Sequence, residues 1–237
     1  MRPGRSFAIS WKHDGLVLGA ASLVALLGRP VRERIVEPHC FPCDEEDVNP
    51  LDREVVRWHS HSLDSLSYVV EIAALATPVI SSLRDYGPSR DFLKDLLVYA
   101  EVIAINSAAN IVVKSIVARP VPRVYTPLFP ELQRQARGYG SFYSGHCAHT
   151  TGALAANAVM GHLRGRKAVW PWMLVAGGAT LISATRLGAG RHFYTDVVAG
   201  SVAGAVIGAL VPRLHRLAPD QPGRLTARQP RSAATHG

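Results

Sequence analysis

The stretch TRLGAGRHFYTD, Thr185 to Asp196, sets two arginines, a histidine and an aspartate between runs that are almost wholly apolar. Charge placed beside apolar segments is costly unless it has a partner or a task. His192 and Asp196 are four residues apart, so at the start of a helix they share a face. There a carboxylate can hold one imidazole nitrogen and leave the other free. Two further islands have the same character. YSGHCAH, Tyr143 to His149, sets a Ser-Gly turn and two histidines ahead of a helical run, and KSIVARPVPR, Lys114 to Arg123, supplies Lys114, Arg119 and Arg123. Cations and helix N-terminal amides together make a site for a multiply charged anion, and phosphate suits them best. Two histidines next to a phosphate suggest a nucleophile and a proton donor.

The elements that must position these islands are apolar. The chain has 237 residues, 48% hydrophobic and 19% charged, and a mean hydropathy of +0.10. Its charge collects in short islands between six long apolar runs: Gly15–Gly28, Ser65–Leu83, Leu96–Val113, Gly145–Leu163, Ala168–Thr185 and Val197–Pro212. A membrane-spanning helix needs roughly 20 mostly apolar residues. The runs therefore predict an all-α bundle of six transmembrane helices, in preference to a soluble helical bundle. Glu71, Glu101, Asn106 and Asn110 fall inside runs, and such residues are tolerated where they face the bundle interior. The first run, after Arg2, Arg5 and Lys12, resembles a signal peptide, but no Ala-x-Ala site follows and it is read as an uncleaved span. In the last run Gly200, Gly204 and Gly208 line one helix face, which allows a neighbouring backbone to approach closely.

Six spans place both termini on one side: residues 1–14 as a cytoplasmic N-terminus, 15–212 as the membrane domain, and 213–237 as a cytoplasmic tail. From Ala218 the tail is rich in Pro, Arg, Gln and Ser, a composition expected to be disordered. Lys and Arg flank both sides of the runs, so the positive-inside rule does not fix the orientation alone. The net charge of +8 and pI near 9.8 point to an anionic partner. No basic patch is interleaved with aromatics, so lipid is favoured over nucleic acid. With this topology the three polar islands fall on the same side of the membrane.

At these residues the chain resembles the type 2 phosphatidic acid phosphatases. Their signature reads Lys-x6-Arg-Pro, then Pro-Ser-Gly-His, then Ser-Arg-x5-His-x3-Asp, and the resemblance runs from about Leu96 to Pro212. The third part matches at Arg186, His192 and Asp196, with Thr185 in place of Ser; the second matches at Ser144, Gly145 and His146, with Tyr143 in place of Pro. The first part departs: counted from Lys114, the family's Arg-Pro falls on Val121 and Pro122. Arg119, nearer the helix end that carries Lys114, is expected to supply the guanidinium in preference to Arg123. The resemblance implies a histidine phosphatase core related to the acid phosphatase and vanadium haloperoxidase fold. It implies His192 as nucleophile, Asp196 as its orienting carboxylate and His146 as proton donor, with Lys114, Arg119, Ser144, Gly145 and Arg186 binding phosphate. It implies no metal and no cofactor. The expected activity is removal of phosphate from a lipid monoester or diphosphate, such as phosphatidic acid, phosphatidylglycerol phosphate, a prenyl diphosphate or a glycolipid phosphate. The expected place is the extracytoplasmic face of a plasma or inner membrane. A phosphotransferase, a soluble haloperoxidase and a non-catalytic lipid-phosphate binder or transporter are the rivals.

The remaining reactive residues have plainer readings. His146 and His149 are three apart but lack a third metal ligand of suitable spacing, so His149 is read as a helix-packing or pore-edge residue. Arg191 either steers anions or faces solvent. Cys40 and Cys43, in HCFPCDEED on the site's side, are expected as a structural disulfide or two free thiols, and Cys147 as a buried thiol. Trp170, Trp172, Tyr139, Phe142 and Tyr143 are expected in interfacial belts.

Overall fold

A computed structural model describes residues 6–215, so the expected tail from Ala218 lies outside the described residues. The described chain is all-helical. Its α-helices are α1 Trp11–Ile35, α2 Pro50–Arg53, α3 His61–Tyr86, α4 Arg90–Val117, α5 Pro130–Gln133, α6 Gly145–Leu163, α7 Trp170–Gly188 and α8 Tyr194–Leu214. Helix starts follow capping chemistry. The hydroxyls of Ser60, Ser89 and Ser144 accept from the N–H groups of Leu63, Phe92 and Cys147 at 3.3, 3.3 and 3.4 Å. Asp196 caps α8 by accepting from the Phe193 N–H at 2.9 Å. α4 ends where Ala118 turns left-handed, at φ 47°, just before Pro120.

Five of the six apolar runs lie within one long helix each, and the remaining one, Ala168–Thr185, begins two residues before α7. Four of these helices, α1, α3, α4 and α8, are long and apolar enough to cross a membrane, which fits an integral membrane protein. α6 and α7 fall short of that standard, and for α6 the packing gives the reason. Thirteen of its residues are buried, among them Thr150, Thr151, Gly152 and four alanines from Ala148 to Ala156. It is the axis of the bundle, in contact with α3, α4, α7 and α8. A helix shielded by neighbours needs small side chains more than apolar ones.

α8 divides its two faces cleanly. Gly200, Gly204 and Gly208 lie on α6, where an added Cβ would come 2.4, 2.1 and 2.2 Å from the carbonyl oxygens of Ser144, Ala148 and Gly152. On the opposite face Val198, Val202, Val206 and Leu210 are exposed. Comparable apolar side chains cover the outside of α1, α3 and α7. A surface this apolar over so many turns is unsuited to water. The polar residues within the runs turn inward instead. The Asn110 amide donates to the Tyr143 carbonyl at 2.8 Å, and Glu71 meets His149 at 2.9 Å.

The loops at the α4 C-terminus are held by a small apolar cluster of Val36, Cys43, Val124 and Tyr139. Cys40 and Cys43 form a disulfide there. Two aromatics expected in interfacial belts, Tyr139 and Tyr143, are buried, at 0% and 6% exposure. The Tyr139 hydroxyl oxygen lies 2.7 and 3.0 Å from the carbonyl oxygens of Gln133 and Cys40, so its polar tip is used internally. Trp170 and Trp172 are exposed at the start of α7.

Candidate active site

The three islands meet at one end of the bundle, where α4 and α7 end and α6 and α8 begin. His192 sits in the turn between α7 and α8 and is 5% exposed. Its Nδ1 donates to the Ser141 carbonyl at 2.8 Å, which fixes the proton there. Its Nε2 has no hydrogen-bond partner among the described residues. Burial pushes the imidazole pKa down to about 3; Lys114 and Arg186 push the same way, against Asp196. The ring is therefore neutral at any ordinary pH, and Nε2 carries a lone pair.

Asp196 stands one step further from the ring than its spacing suggests. Its Oδ2 lies 3.8 Å from His192 Nδ1, while the Ser141 hydroxyl donates a short hydrogen bond to it. Ser141 thus links the two residues, hydroxyl to the carboxylate and carbonyl to the imidazole. Sequence spacing cannot reveal this residue, because its contribution to the ring is a backbone oxygen.

Arg119 is placed behind the histidine. Its Nη1 donates to Asp196 Oδ1 and to the Thr195 hydroxyl at 2.7 Å each, its Nη2 donates to Asp52 Oδ2 at 2.8 Å, and its Cζ lies 4.2 Å from the Phe193 ring centroid. Burial pushes the Asp52 carboxyl pKa up, but hydrogen bonds from Arg119, Thr195 and Asn49 outweigh it and leave it below the ordinary value. Arg123, rather than the expected Arg119, stands with Arg186. Val121 has a structural task, donating its N–H to the Gly138 carbonyl at 2.8 Å.

The second cluster is centred on Asp64, at the start of α3. Arg191 donates to Asp64 Oδ2 at 2.6 Å and Arg186 donates to Oδ1 at 2.9 Å and to Ser67 at 2.8 Å. Arg123 lies 3.7 Å from the same carboxylate and donates to the Ala189 carbonyl at 2.8 Å. Three guanidiniums share one carboxylate, so the cluster keeps a surplus of positive charge. Arg186 Nε is buried without a partner. Lys114, in the last turn of α4, has no ion-pair or hydrogen-bond partner among the described residues.

His146 occupies the first turn of α6, with its ring edge-on to Tyr68 at 4.9 Å between centroids and its Nε2 3.3 Å from Glu71 Oε2. His149, expected as a helix-packing or pore-edge residue, contacts Ser107 and Glu71 at 3.0 and 2.9 Å. One face of α3 therefore lines the site with Asp64, Ser67, Tyr68 and Glu71. No motif marks them; their only signal is a helical spacing inside an apolar run. Cys147 is buried, as expected.

No curated protein and no solved structure is a significant match to this chain. Residues 95–219, more than half of its length, match the PAP2 superfamily. The order of the three islands on α4, α6 and α7–α8, together with that match, places the chain in the PAP2 superfamily, to which it belongs.

Proposed function

We propose that this protein is a six-span, metal-independent phosphatase of a lipid phosphate monoester or diphosphate, working through a phosphohistidine. The carrying observation is the tautomer of His192: Nδ1–H is held by the Ser141 carbonyl, which leaves the Nε2 lone pair for attack on phosphorus. Lys114, Arg186 with its open Nε, the Ser144 hydroxyl and the Gly145 N–H at the start of α6 would take the phosphate oxygens. Such preorganised donors supply a large part of catalysis. As the Nε2–P bond forms, the P–O bond to the lipid breaks and His146 protonates the leaving oxygen. His146 then takes a proton from water as that water attacks phosphorus, and His192 is released. Asp196 acts through Ser141, holding the ring and stabilising positive charge as it develops there, and Arg119 holds Asp196 in place.

An active site on the extracytoplasmic face is supported by the Cys40–Cys43 disulfide, which lies at the same end of the bundle and suits an oxidising compartment. The competing reading, a lipid-phosphate binder without catalysis, draws on Val121 and on the commitment of Arg119 to carboxylates. The deciding experiment is phosphate release by detergent-purified protein in EDTA, with phosphatidic acid and a prenyl diphosphate side by side. Release that survives EDTA and falls by about 10⁴-fold or more in His192→Ala is expected. No release from either lipid by folded wild-type protein would transfer the argument to the binder.

A further inference from the structure

At the end of the bundle away from His192, the start of α1, the first half of α4 and the end of α8 border a groove of about 460 Å³. Its polar floor is Asp14, Glu101 and His215, whose donor atoms lie within 4.8 Å of one another. His215 Nε2 is 3.2 Å from Glu101 Oε2 and 3.8 Å from Asp14 Oδ2. Asp14 and Glu101 are 7% and 3% exposed, and the His215 side chain is 10% exposed. Among the described residues no Lys or Arg pairs with either acid; their ion-pair partners are His13 and His215.

Hydrogen positions sharpen the case. His215 Nδ1 donates to the Val211 carbonyl at 3.0 Å, which puts a proton on Nδ1 and turns Nε2 toward the two acids. Although Glu101 Oε2 is 3.2 Å away, Nε2 is buried without a hydrogen bond. Glu101 Oε1 is likewise buried and unpartnered. A lone pair and two carboxylates gathered out of water repel one another unless a cation stands between them.

We propose that Asp14, Glu101 and His215 form a divalent transition-metal site of the zinc type. Zinc bonds of 2.0–2.2 Å in a tetrahedron separate ligand atoms by roughly 3.3–3.5 Å; His215 Nε2 stands 3.2 and 3.8 Å from the two carboxylates, and the three ligand atoms lie within 4.8 Å of one another, to be drawn together by the ion. Two carboxylates and an imidazole suit zinc, whereas calcium asks for six to eight oxygens. The fourth position opens on the groove and would hold water. The supporting contacts are those of a metal site: a backbone carbonyl on the far nitrogen of His215, and the Ser10 N–H on Asp14 Oδ2 at 2.8 Å. The ion would staple α1, whose most apolar stretch is only 6% buried, to α4 and α8. It stands apart from the phosphate site and does not rest on the proposed function.

The test is zinc titration of the full-length protein in detergent, without an affinity tag, stripped with EDTA and dialysed, in competition with a chromophoric chelator. One equivalent per chain is expected, with a higher thermal midpoint, no competition from Mg²⁺, and affinity at least tenfold weaker in both Glu101→Gln and His215→Asn. Circular dichroism and gel filtration certify that the variants fold. Should either fail to fold, Asp14→Asn takes its place. No zinc bound by wild-type protein, or equal affinity in wild type and variants, overturns the site.

Discussion

Arg119 holds together two carboxylates that are each fully buried, Asp52 and Asp196. Removing one member of a buried ion group leaves the others without compensation, at a cost of about 3–5 kcal/mol. Arg119→Ala should therefore lower the thermal midpoint sharply. Because its guanidinium is taken up by Asp196, Thr195 and Asp52, under the proposed function the surviving activity should show kcat reduced by more than ~10-fold with KM little changed. A larger effect on KM would return Arg119 to the phosphate. His192 makes a second prediction. Its folded pKa of about 3 lies below the ordinary 6.5, so the fold favours the neutral ring. The stability this contributes is present above pH 6.5 and is lost as pH falls toward 3. In thermal melts the margin of wild type over His192→Gln should shrink across that window. The histidine and aspartate were legible in the sequence because they sit at helical spacing in one short segment. Ser141, Asp52 and Asp64 were not. They act through a backbone oxygen, or across sequence separations of 67 and 122 residues to Arg119 and Arg186, and only the fold joins them.

α6 and α8 carry the two halves of the candidate site, His146 with Ser144 on one and His192 with Asp196 at the head of the other. Their register is set by backbone contact along the glycine stripe. A Cβ at Gly204 would sit 2.1 Å from the Ala148 carbonyl oxygen and 2.4 Å from Thr151 Oγ1. Neither helix backbone can yield there without shifting the site above it. Gly204→Val should cost at least about 1–3 kcal/mol and depress phosphate release more than its loss of stability explains. Val206→Leu, on the exposed face of the same helix, should be silent in both. The stripe was visible in the sequence as a four-residue repeat, and so were the six helices, because long apolar runs admit few other structures. The central place of α6 was not visible. In the sequence it is one apolar run among six; its alanines and threonines make sense only as the surface on which other helices pack.

For the molecule as a whole, polar chemistry is confined to the two ends and the sides are apolar. The loops over the His192 end are tied into one body by the Cys40–Cys43 disulfide, by Asp52 on Arg119 and by Arg32 on the Ala136 carbonyl at 2.8 Å. That body, rather than any single helix, sets the mouth of the site. Its assembly could not be foreseen from the islands, since it draws on loops whose sequence carries no period. The burial of α6 by α3, α4, α7 and α8 has a further consequence for substrate choice under the proposed function. Among the described residues α6 fills the axis of the bundle, where a hydrocarbon tail would otherwise have to lie. Acyl or prenyl chains would stay in the bilayer while the phosphate alone reaches inward past the rim. Discrimination then falls on head-group bulk. Short- and long-chain phosphatidic acids presented in the same mixed micelles should turn over at similar rates, while substituents beside the phosphate should slow the reaction steeply.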